Sequence, residues 1–143
     1  MENQTALEKI NEVLKFDTDE TFATAYGISQ NGETLKCEVI KKGSDVYELM
    51  EKLDDLKVSK AFDYLSIITW GWAAPLKSNG EIDGAPSSHP EKRRVKLIIS
   101  GSSDEKGLIG SALTFSDSPE DTIFDFGDAT GSLSDVFQSL FED

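Results

Sequence analysis

Apolar positions in this chain recur with two spacings, one suited to helices and one to strands. Leu7, Ile10, Val13 and Leu14 fall three or four residues apart and predict a helix over residues 5–14. Thr5 and Glu8 stand in the S/T-x-x-E relation that satisfies two free backbone N–H groups at a helix start. From residue 21 the period shortens to two, with Phe22, Tyr26 and Ile28 on one side of a strand over 21–30. Asn31-Gly32 follows, a dipeptide favoured where a type I′ turn requires positive φ at both central residues. Leu35, Cys37 and Val39 then alternate with Lys36 and Glu38 in a returning strand. A second helix is expected from Ser44 or Asp45, both good caps, with Val46, Leu49, Met50, Leu53 and Leu56 as its apolar stripe.

Residues 63–72, DYLSIITWGW, are largely apolar on both faces, as in a strand inside a sheet or covered on each side. Residues 73–90 break regular structure with Pro, Gly and Ser. In RRVKLIIS, Val95, Leu97 and Ile99 alternate with Arg94, Lys96 and Ile98, and LIGSALTFS is expected to pair with it as a hairpin across SSDEKG. DSPEDTIFDFGDATG reads as an acidic loop with a short extended piece around 123–126. Ser132 or Asp135 then opens a final helix carrying Leu133, Val136, Phe137, Leu140 and Phe141. The order α-β-β-α-β-β-β-α predicts one α+β domain over residues 1–143, a mainly antiparallel sheet of about five strands with helices packed on it. That order resembles the one found in roadblock and profilin-like domains, which carry five strands and flanking helices. The resemblance lies in element order and implies a fold, not an activity.

Charge narrows the function classes. Asp and Glu number 27 against 14 Lys and Arg, a net charge of −13 that opposes direct binding to nucleic acid or anionic membranes. The same charge suits a basic protein partner, and equally serves simple solubility. Cys37 is the sole cysteine, which rules out an intramolecular disulfide and a Cys-rich zinc site. With no signal-peptide pattern at the start and no apolar run near the roughly 20 residues of a membrane span, the expected location is cytoplasmic.

Residues 69–95 concentrate the rare residue types: Trp70, Trp72, His89, Arg93, Arg94 and three of the four prolines. Trp70 and Trp72 lie two apart on a strand and so share a face. Arg93 and Arg94 open the next strand, and pairing of the two strands would set both near the indoles, where guanidinium can stack on Trp or grip a carboxylate or phosphate. Trp and Arg are also enriched at binding hot spots. The bland alternative is a tryptophan core beneath a helix, with arginines paired to some of the many acids. Ser87-Ser88-His89 is no catalytic triad, because adjacent residues on an extended chain point apart, and no G-x-S-x-G elbow is present. Asn79, Glu81 and Asp83 alternate but lack the closing glutamate of a calcium loop. Phosphate-cradling glycine patterns are absent, so no cofactor, metal or catalytic residue is expected.

The sequence therefore leads to a small acidic binding or adaptor protein without catalytic activity, contacting another protein through Trp70, Trp72, His89, Arg93 and Arg94. One alternative is an acidic inhibitor that mimics DNA toward a basic nucleic-acid-binding protein. Another is a small-anion sensor or enzyme with a pocket under the 73–90 loop.

Overall fold

The computed structural model describes residues 2–56, 62–73, 91–103 and 107–126. Their element order is α1 (Asn3–Val13), β1 (Ala23–Asn31), β2 (Thr34–Gly43), α2 (Val46–Leu56), β3 (Tyr64–Ala73), β4 (Arg93–Ser102), β5 (Gly107–Phe115) and β6 (Ser118–Asp125). The six strands form one antiparallel sheet in the order β2-β1-β3-β4-β5-β6.

Strand alternation sorts the apolar side chains onto two faces, and each face receives a helix. On one, Leu7 and Ile10 of α1 and its C-cap Leu14 are fully buried, and Ala6, Ile10 and Leu14 cluster with Tyr26, Ile28, Tyr64, Ile68, Ile98 and Ala112. On the other, Val46, Leu49, Met50 and Leu53 of α2 meet Ala23, Ala25, Leu65, Ile67 and Ile99. This double cover explains why the middle strands are apolar on both sides. A buried Leu, Ile or Met in such a core is worth about 2–5 kcal/mol against truncation to Ala. Among the polar residues admitted, Ser66 and Ser100 meet across β3 and β4 at 2.7 Å between hydroxyl oxygens.

Several expectations are revised. α1 starts at Asn3 with Glu2 as its N-cap and no side-chain cap bond, so Thr5 and Glu8 lie inside the helix and form no capping box. The β1–β2 hairpin is present, but its register pairs Asn31 with Thr34, so the turn residues are Gly32 and Glu33, with Gly32 at φ 65°. α2 begins as expected, the Asp45 carboxylate accepting the Glu48 N–H at 2.9 Å. The acidic stretch after β5 is the sixth strand rather than a loop, paired with β5 from Ser118 to Asp125. It is an edge strand, where one row of N–H groups needs no partner and Pro119 and charged side chains are tolerated. The sheet therefore has one strand more than the expected five, and the expected final helix lies outside the described residues. So do the tract 74–90 and His89. No described helix is long and apolar enough to cross a membrane.

Candidate functional site

The α1 face of the sheet carries the site. Register places Trp70 of β3 opposite Lys96 of β4, and Lys96 opposite Thr114 of β5. One row nearer the sheet end, Trp72 faces Arg94. Above these rows stand the last turn of α1 and the connection to β1. Between them opens a cleft of about 630 Å³. Its floor is Trp70, Lys96 and Thr114, and its helix side is Asn11 and Lys15, continued by Asp17, Thr18 and Glu20. Phe115, Ser116, Pro119 and Glu120, around the β5–β6 turn, close the far side. The volume falls within the roughly 300–1,000 Å³ of small-molecule sites.

Lys96 is a buried cation with a defined task. Its Nζ donates to the carbonyls of Leu14 and Asp17, both at 2.7 Å. Helix ends leave such carbonyls without intrahelical partners, and a cation there also meets the negative end of the helix dipole. Lys96 thus fastens the end of α1 to the sheet. Burial pushes its pKa down while Asp17 pulls it up. The Asp17 carboxylate accepts from the Tyr26 hydroxyl at 2.6 Å and from the Asp19 N–H at 3.0 Å. Burial, then this bond to Asp17, hold the Tyr26 phenol well above its ordinary pKa. Asp19 accepts the Thr21 N–H at 3.0 Å, so the connection is held by two successive Asx-type bonds.

Two polar groups of the cleft wall have no such employment. Asn11 is 8% exposed and sits in the apolar stripe of α1, four residues after Leu7 and three before Leu14, yet its amide makes no side-chain hydrogen bond among the described residues. The indole Nε1 of Trp70 is buried with no partner among the described residues. Leaving a buried group such as the Trp70 N–H unpaired costs about 1–3 kcal/mol, so native structures keep few of them, whereas the Asn11 amide keeps some accessible surface.

The structure brings Trp70, Trp72 and Arg94 together on this face. Arg94 lies 4.8 Å from the Trp72 ring centroid, Lys92 Nζ lies 4.5 Å from it, and the Arg94 guanidinium also bonds Glu20 at the cleft rim. Trp72 is 38% exposed. Arg93 departs from expectation. Neighbouring strand residues point to opposite faces, so it lies over Phe115 at 4.0 Å and grips Asp117, with Nη2 to Oδ1 at 2.6 Å. That pairing raises the Arg93 pKa and lowers that of Asp117. Half of the bland alternative therefore describes the arginines: both are paired with acids.

Asn11, Asp17 and Lys96 were not singled out in the sequence. The available signal was polarity out of pattern: Asn11 inside a helical apolar stripe, and Lys96 on the face that Ile98 shares. Cys37, half-buried, has its Sγ 4.0 Å from the Val13 carbonyl, and burial pushes its thiol pKa up. Among the described residues, no group of three or more His, Cys, Asp or Glu could hold a metal. Comparison with protein families, with curated proteins and with solved structures finds no match to this chain.

Proposed function

We propose that this protein is a non-catalytic binding protein whose recognition site is the cleft over Trp70. The observation that carries this reading is a cavity of ligand size whose wall holds Asn11, with an amide that has no hydrogen-bond partner among the described residues, and Trp70, with a buried indole N–H that has none either. Evolved cores satisfy such groups, and functional sites are where that rule is broken. Three titratable groups nearby support binding over catalysis, since each of them has a structural partner. Lys96 holds the end of α1, Asp17 holds Tyr26, and Glu20 is held by Arg94. The arginines, spent on acids, give little support to an anion site built around them.

A second reading is favoured by Trp72, an exposed ring with two cations against it, and by Phe16, 65% exposed on the connection after α1. Each suits contact with another protein next to residues that line the cleft. Titrating ¹⁵N-labelled protein with a chemically diverse set of small fragments separates the readings. The cleft reading expects several fragments to move the amide and indole resonances of Asn11, Trp70 and Thr114 as one group. Fragments that leave all three unmoved would overturn it, and would leave the Trp72 surface as the site to pursue.

A further inference from the structure

The chemistry of the cleft wall narrows its ligand, provided the binding reading above holds. A side-chain amide offers one acceptor and two donors, so its full complement is another amide edge, a C=O beside an N–H. Asn11 presents such an edge at the cleft with nothing bonded to it. Charge then selects against anions. Lys15 pairs with Glu12 at 2.9 Å, Lys96 is committed to two carbonyls, and Arg94 to Glu20. Glu120 is a charged group of the cleft with no ion pair among the described residues, and it is an acid. An incoming carboxylate or phosphate would meet that charge, within a protein of net charge −13, and would have to compete with Glu12 for Lys15 or with two carbonyls for Lys96. The walls beside Asn11, the carbon surface of Trp70 and Pro119, suit an apolar body.

We propose that the cleft binds an uncharged organic molecule that presents a primary amide, lactam or imide edge to Asn11 and an apolar ring to Trp70 and Pro119. Recognition then depends on the paired hydrogen bonds more than on size, because an analogue lacking the N–H or bearing a charge covers the Asn11 amide and leaves it mismatched. The pairing also accounts for a polar residue held between the buried Leu7 and Leu14.

Three probes of one size test this: benzamide, acetophenone, which keeps the carbonyl and lacks the N–H, and benzoate. Each is titrated into the ¹⁵N-labelled protein, following the Asn11 side-chain amide and the Trp70 indole resonance, the latter assigned with Trp72→Phe. Benzamide is expected to shift both, with the other two at least about tenfold weaker. Asn11→Leu should weaken benzamide by about tenfold or more, while Lys52→Ala, on α2 across the sheet, leaves it unchanged. Equal binding of all three at the cleft, or undiminished benzamide binding to Asn11→Leu, would overturn the amide assignment and leave the site standing. Cleft resonances unmoved by every probe would overturn the amide assignment, whereas failure of the diverse fragments as well would overturn the site.

Discussion

Replacing Asn11 by leucine should make this protein more stable. Asn11 is 8% exposed on the buried stripe of α1, between Leu7 and Leu14, and its amide has no hydrogen-bond partner among the described residues. Burying an amide without compensation costs roughly 1–3 kcal/mol by mutational measures, and the lower end applies because the group still borders a cleft. Leucine is also the better helix former, by a few tenths of a kcal/mol. The two contributions together predict a gain of about 1 kcal/mol, and for a chain near 150 residues that raises Tm by about 3 °C. Urea denaturation at neutral pH and a thermal scan measure it directly, with unchanged m-value as the sign that the folded state is the same. A loss of 1 kcal/mol or more would refute the reasoning. It would mean that the amide holds ordered water or backbone in the free protein, so that its position reflects stability and not a ligand.

Further outcomes follow from the same geometry. Tyr26→Phe removes the donor 2.6 Å from the Asp17 carboxylate and should cost about 1.5–3 kcal/mol in a denaturation experiment, as for other bonds to charged groups. Because the folded phenol pKa is raised, stability should be full below the ordinary value of about 10 and fall as pH rises above it, when only the unfolded chain releases the proton. Tyr26→Phe should flatten that alkaline limb. Glu48, bonded to Lys52 and to the Ser44 hydroxyl, has its carboxyl held down at about 2. Its contribution is present above the ordinary Glu pKa and lost as pH falls toward 2, so a carboxyl titration by NMR should find the low midpoint and Glu48→Gln should weaken the acid dependence. Gly110→Ala should destabilise by on the order of 3 kcal/mol, since φ there is +153° and an added Cβ would stand 2.3 Å from the Asp125 carbonyl oxygen and 2.9 Å from Leu7 Cδ2. A near-neutral thermal shift would show that β5 and β6 can separate locally to accept a methyl.

Much of the fold could be read from periodicity because burial on a helix or strand leaves its period in the sequence. The two helices, the hairpin of β1 and β2, the two-faced β3 and the pairing of β4 with β5 all followed from apolar spacing. β6 did not, because an edge strand buries little and can be built from Pro, Glu and Asp, the residues that otherwise spell a loop. The hairpin turn lay one residue later than Asn31-Gly32 suggested, since register depends on every cross-strand pair and not on the turn dipeptide alone. For the proposed site, residue rarity pointed to the strands beneath the cleft through Trp70, Trp72 and Arg94, but grouped Arg93 with them although strand alternation sends it to the other face. Rarity also overlooked Asn11 and Lys96, common residue types whose meaning comes only from where folding places them. A lysine whose ammonium caps a helix 82 positions earlier in the chain leaves no local signature.

The central claim is that the cleft over Trp70 holds a neutral amide through Asn11, and a crystal structure of the protein grown with benzamide examines it most directly. The account predicts density for the ring against Trp70 and Pro119, with the amide of the ligand paired to Asn11 through two hydrogen bonds of about 2.9 Å. A cleft closed by its own side chains, with Asn11 bonded within the protein, would contradict it.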